Sequence, residues 1–174
     1  MKKLTTILFL LFLTSSVNAA SIFYSTGDTS LDINAPGDTD QALAFFNAGE
    51  NVSAISPVPF NLGITGDNVI GTATMNRFSG FDSDFLLEVF STGGGPALFS
   101  LTKADFTNSG GLGTFSTALP FLAIDNYNLV LSGTILENNT SLTLRVEAVP
   151  LPAAVWFMVS GLIGLLGFTR RKQS

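Results

Sequence analysis

The chain has 174 residues, a formal charge of −5, no cysteine and no histidine. Those two absences exclude disulfides, thiolate or imidazole metal ligands, and Cys–His or Ser–His nucleophile pairs. Between Ser21 and Val149 only Arg77, Lys103 and Arg145 are basic against 13 acidic residues, a formal balance of −10, which repels phosphate backbones and argues against a nucleic-acid partner.

The amino end reads as an export signal. Lys2 and Lys3 form a charged start, Leu4 to Leu13 an apolar core, and Thr14 to Ala20 a polar stretch of small residues. Val17-Asn18-Ala19 puts compact side chains where a signal peptidase reads, so the chain is expected to meet the secretion machinery and be cut after Ala19 or Ala20. A run of ten residues is too short to span a bilayer. The expected organisation is therefore a signal peptide over 1–20, one domain over 21–148, and a carboxyl-terminal segment over 149–174.

The middle reads as short strands broken by turn residues, with 12 phenylalanines to fill a core and 14 glycines to punctuate it. Ser21 to Thr26 is the first expected strand. Gln41 to Phe46 and Val52 to Ser56 flank Asn47-Ala48-Gly49-Glu50 and suggest a hairpin, with a short helix capped by Asp38 as the local alternative. Val69 to Met75 follows, then Asp84 to Phe90, whose apolar run suits a strand buried on both faces. Ala97 to Leu101 comes after the loop Gly93-Gly94-Gly95-Pro96. Tyr127 to Leu136 and Ser141 to Ala148, joined by Glu137-Asn138-Asn139-Thr140, suggest a second hairpin. In its last strand Leu142, Leu144 and Val146 alternate with Thr143, Arg145 and Glu147, the period of two of a half-wet strand. Strands at this spacing predict a mostly β fold: a single antiparallel β-sandwich or jelly-roll-like domain outside the cell, followed by one carboxyl-terminal transmembrane helix.

The tail is the most specific stretch. Two prolines, Pro150 and Pro152, precede an apolar run from Ala153 to Phe168 without one ionisable side chain, and Arg170, Arg171 and Lys172 close it. Sixteen helical residues reach roughly 24 Å, slightly short of a hydrocarbon core of about 30 Å. The basic cluster anchors the topology by staying in the cytoplasm, so the preceding domain faces outward. Prolines deny helix hydrogen bonds just before the membrane, which leaves that neck extended and accessible. An ordinary, uncleaved single-pass anchor is the plainer alternative. Val149-Pro150-Leu151-Pro152-Ala153-Ala154-Val155-Trp156, the glycines Gly161, Gly164 and Gly167, and the basic end resemble the PEP-CTERM sorting domain in its VPLPA-type variant. Pro150-Leu151-Pro152 stands where the Pro-Glu-Pro of the name would be. The resemblance covers about 26 of the 174 residues. It implies export in a Gram-negative bacterium, recognition of Val149, Pro150, Leu151, Pro152 and Ala153 by an exosortase-type membrane enzyme, and release to the cell surface or to a biofilm matrix with exopolysaccharide.

Other candidate residues are weaker. Asp28, Asp32, Asp38 and Asp40 invite a calcium reading, but Ile33 occupies the glycine position of an EF-hand loop and Thr39 the bidentate glutamate position. Acidic turns account for them better. Asp82, Asp84 and Glu88 suggest a turn before a solvated strand edge. A hydrolytic carboxylate pair needs two carboxyls facing a cleft at about 5–10 Å, and no spacing here sets one up. Sugar platforms favour Trp and Tyr, of which the middle segment holds only Tyr24 and Tyr127. The expected role is a non-enzymatic surface or matrix protein without cofactor. A glycan- or calcium-binding adhesion module is the alternative, and a carboxylate-dependent hydrolase comes third.

Overall fold

The structure, a computed structural model, describes residues 20–25, 27, 29–149 and 160. Two β-sheets face each other across one apolar core. The strands are β1 (Ser21–Tyr24), β2 (Leu31–Ile33), β3 (Thr39–Phe46), β4 (Val58–Leu62), β5 (Val69–Asn76), β6 (Leu86–Ser91), β7 (Phe99–Thr102), β8 (Thr107–Ser109), β9 (Leu112–Ala118), β10 (Asp125–Ser132) and β11 (Thr140–Ala148). One sheet has six strands in the order β1-β3-β11-β5-β9-β8, and the other has five in the order β2-β4-β10-β6-β7. Pairing is antiparallel throughout except between β2 and β4, which run parallel. The expected sandwich is present, with a mixed rather than purely antiparallel second sheet.

The alternation of β11 survives intact. Leu142, Leu144 and Val146 are buried while Arg145 is exposed, and the strand lies between β3 and β5 at the centre of its sheet. The local helix from Asp38 does not form. Asp40, Ala42, Ala44 and Phe46 are buried at every second position, a period that one face of a strand satisfies and a helix cannot. Asp38 closes the turn before it instead, accepting from the amides of Asn34 and Ala35 at 2.9 and 2.7 Å.

Both expected hairpins are corrected. Val52 to Ile55 is a 3-10 turn, not a strand. The Asn51 side chain accepts from the Ser53 amide at 2.9 Å, and Val52 and Ile55 bury on one side. A local side-chain bond that completes a turn outcompetes strand pairing, and apolar residues three apart suit three residues per turn. The second hairpin fails for a tertiary reason. β10 and β11 belong to different sheets, with Tyr127, Leu129 and Leu131 facing Leu142, Leu144 and Val146 across the core instead of beside them. The crossover starts at Gly133, whose φ of +131° and close approach to the Phe85 backbone suit glycine alone. The run expected from Asp84 begins as a strand only at Leu86 and alternates, burying Leu87 and Val89.

Phenylalanine fills the space between the sheets as a continuous series. Phe46 meets Phe81 at 6.5 Å between ring centroids, Phe81 meets Phe85 at 5.5 Å, and Phe85 meets Phe106 at 5.8 Å. Phe106 then meets Phe115 at 6.1 Å, Phe115 meets Phe99 at 6.0 Å, and Phe99 stacks on Phe121 at 5.5 Å. Most of these are the edge-to-face or tilted pairs that the ring quadrupole favours. The series runs from the end of the sandwich that holds Phe46 and Phe81 to the end from which the tail departs.

Candidate functional site

The neck forms at the end of β11, where three loops converge. The Ala148 amide donates to the Asp38 carbonyl at 2.8 Å, and the Gly37 amide donates to the Ala148 carbonyl at 3.2 Å. The Val149 amide donates to the Asn68 carbonyl at 2.7 Å. The 63–68 connection is tied in turn to the β9–β10 loop, since the Gly66 amide donates to the Leu122 carbonyl at 3.0 Å and the Leu119 amide to the Val69 carbonyl at 3.0 Å. Tyr127 secures the other side of that loop, its hydroxyl donating to the Ala123 carbonyl at 2.8 Å. Val149, the first residue of the proline motif, is thus held on the domain by its backbone while 38% of its surface stays exposed. Pro150, Leu151, Pro152, Ala153, Arg170, Arg171, Lys172 and, at the other terminus, Ala19 lie outside the described residues. Ala20 is partly buried against the core. Among the described residues no helix is long and apolar enough to cross a membrane.

Gly66 is the tightest point of this end. A Cβ there would stand 2.0 Å from the Leu119 carbonyl oxygen and 2.7 Å from that of Leu122. Neither backbone oxygen can yield without breaking the loop contact. Gly66→Ala is therefore expected to destabilise the fold by about 3 kcal/mol, the upper part of the range for overpacked sites. A urea midpoint unchanged from the parent chain would contradict this.

The acidic candidates are engaged in knitting turns. Asp40 is almost fully buried; one carboxylate oxygen accepts from the Ser25 hydroxyl at 2.7 Å and the Gln41 amide at 2.8 Å, the other from the Asp32 amide at 3.0 Å. Asp32 accepts from the Ser30 hydroxyl and the Asn61 amide group. Asp38 is spent on its own turn, and Asp28 lies outside the described residues. Among the described residues no cluster of three or more acidic side chains is arranged to hold a metal ion. The pKa of Tyr24 is raised, first by burial of the phenol and second by the neighbouring Asp40 carboxylate. Tyr127 is buried and Tyr24 packs against the core, so neither presents a flat, open ring face to a sugar.

Asp84 sits ahead of its strand and binds across to the 133–135 crossover, accepting from the Thr134 amide and hydroxyl, each at 2.9 Å. Those two bonds, the amide first, hold its carboxyl below the usual aspartate range. A depressed carboxyl stabilises the fold above its unfolded-state pKa, and that contribution is lost as pH falls through the folded value. Asp84→Asn should therefore flatten the loss of stability below about pH 4. Equal slopes for the two proteins in an acid titration of the urea midpoint would contradict it.

Two hollows remain. Between the sheets lies a cavity of about 50 Å³ with almost wholly apolar walls, including Leu31, Phe60, Ala73, Leu129 and Leu144. Small residues on the six-stranded sheet, Gly71 and Ala73, leave it unfilled. Apolar cavities of this kind stay dry and hold no reactive group. A shallow surface hollow bounded by Phe78, Ser83, Thr102 and Ala104 contains Lys103, whose ammonium donates to the Phe81 carbonyl and lies 4.8 Å above the Phe78 ring. That amine is engaged as a donor and a cation–π partner. Sequence reasoning also passed over Glu50, one of whose carboxylate oxygens accepts from the Asn47 amide at 2.7 Å while the other is buried without a partner. Nothing in its sequence neighbourhood distinguishes it from an ordinary turn acid.

The fold and the neck define a two-sheet β-sandwich whose central strand of the larger sheet runs directly into the carboxyl-terminal segment. No protein-family model and no curated protein sequence matches the chain. Among solved structures it is similar to a periplasmic lysozyme inhibitor of g-type lysozyme from Aeromonas hydrophila, with 17% identity over 68% of this chain and 95% of that one, at a TM-score of 0.33. It is also similar to a recombinant oxalate oxidase in complex with glycolate, with 11% identity over 88% of this chain and 73% of that one, at 0.35. A third is a chain of Bacillus endospore appendages, disulfide-linked pili, with 12% identity over 70% of this chain and 98% of that one, at 0.28. Likeness this low carries nothing about activity.

Proposed function

We propose that this is an exported, non-enzymatic surface or matrix protein, held first by a carboxyl-terminal membrane helix and then released by an exosortase-type enzyme acting at Val149 to Ala153. One observation carries the reading: the motif begins at the residue directly after the last strand, with Val149 exposed at the tip of the domain. A processing enzyme needs an extended, reachable segment, and the two prolines after Val149 keep the neck out of the helix that follows. Without cysteine no disulfide can form, so outside the cell the domain would rely on the packing of its apolar core alone. The finer fold reading is a jelly roll, supported by β3-β11-β5-β9 facing β4-β10-β6-β7 while consecutive strands from β3 to β6 alternate between sheets. Released domains of this kind would enter an exopolysaccharide matrix, where net negative charge favours solubility.

Intact-mass analysis of the protein recovered from outside its native cells tests the scheme. The expected species begins at Ala20 or Ser21 and ends between Val149 and Ala153, with or without an added group. A recovered chain that still ends at Ser174 would overturn processing at the neck.

A further inference from the structure

We infer that the tail-exit end of the sandwich is itself a lipid-contacting surface, which lies on the outer face of the bilayer before release. The inference rests on the membrane-helix reading above and names a second element of the same anchorage. Three residues at this end of the sandwich are apolar and open to solvent, as Val149 is: Leu98 at 45% exposure, Phe121 at 43% and Ile124 at 62%. Backbone bonds and one ring stack link them to this end. The Leu98 amide donates to the Val89 carbonyl at 2.8 Å at the end of β6, and the next residue, Phe99, stacks on Phe121. Phe121 and Ile124 stand on the β9–β10 loop, which the 63–68 connection ties to the residue that receives Val149.

Chain length says what covers this end. From Val149 to the first residue of the apolar run, Ala153, there are four residues, which reach at most about 14 Å when extended. A domain on so short a tether stands with its exit end at the headgroup layer. Aromatic and aliphatic side chains at that depth gain burial in the interface, as interfacial anchors do. The charges at this end are acidic, with Asp38 beside Ala148 and Asp125 directly after Ile124. None of the domain's three cations is at this end: Arg77 follows β5 at the far end and approaches Glu137 at 4.0 Å, Lys103 is held beside Phe78, and Arg145 pairs with Glu147 on the outer face of the larger sheet. Attachment should therefore weaken on anionic lipid and recover as salt screens the repulsion.

Four single-cysteine variants of the full chain test this, because no native cysteine competes for the label. Leu98→Cys and Ile124→Cys report the exit end, Leu136→Cys reports an exposed apolar site at the far end, and Ser160→Cys reports the tail. Each carries a nitroxide and is reconstituted into phosphatidylcholine vesicles, and its accessibility to oxygen and to a water-soluble nickel complex is measured. Labels at 98 and 124 should show an oxygen-to-nickel ratio several-fold above that at 136, lowered by phosphatidylglycerol and restored by added salt. Water-like ratios at 98 and 124 with a lipid-like ratio at 160 would overturn the docking surface and leave the membrane tail standing. A water-like ratio at 160 would remove the anchor, and the docking with it. Low accessibility to both reagents at 124, in a chain that is dimeric in detergent, would assign the patch to a second copy and also overturn the inference.

Discussion

Phe81→Ala is expected to lower the free energy of unfolding by about 3–5 kcal/mol. Phe81 is fully buried and links two segments of the aromatic series, with its ring edge-on to both Phe46 and Phe85. Its backbone lies in the isolated bridge to Ile135, and its carbonyl receives the Lys103 ammonium. The surrounding strands are fixed by ladders on both sheets, so the void left by the ring can close only in part, and the cavity cost adds to the lost transfer energy. Against a typical total of about 5–15 kcal/mol, such a loss threatens folding itself. Phe23→Ala provides the contrast. Phe23 is exposed and touches Phe45 edge-on at 6.1 Å, so its removal should cost no more than about 0.5 kcal/mol. Guanidinium unfolding of both variants checks the pair, and similar midpoints would mean that the aromatic series does not organise the core.

Replacing Pro150 and Pro152 together by alanine is expected to leave the chain at full length in the membrane, with release reduced to background. Alanine is the best helix former, and without the prolines the apolar helix can propagate back toward Val149 and remove the extended neck. The Val149–Asn68 contact is a bond between backbone groups. The domain should therefore keep its urea midpoint, which separates a processing defect from a folding defect. Fractionation of native cells with an antibody to the domain gives the readout. Ordinary release of the double variant would refute recognition at the motif.

The two expectations differ in what made them readable. Strands β3 and β11 were legible because period-two burial is written in consecutive residues, as in Ala42, Ala44 and Phe46 or Leu142, Leu144 and Val146. The turn at Val52 was not, because the bond from the Asn51 side chain to the Ser53 amide competes locally with strand pairing and leaves no periodic trace. β2 and β4 were also missed. β2 has only three residues and β4 opens with Pro59 at its second position, so neither carries a run long enough to show alternation.

By itself the sequence determined the chemistry that is absent and the class of fold. Without cysteine or histidine no thiolate or imidazole site can form, and short alternating runs between glycines build sheets. Tertiary structure alone decided which strands are neighbours. β10 and β11 are adjacent in the chain and sit in opposite sheets, because Gly133 lets the backbone cross beside Phe85 and the two apolar faces gain more by meeting across the core than by lying side by side. It also decided that Leu98, Phe121, Ile124 and Val149, 51 positions apart from first to last, share one end of the molecule. Their gathering depends on long-range ladders and loop bonds, and local pattern holds no information about partners that far along the chain.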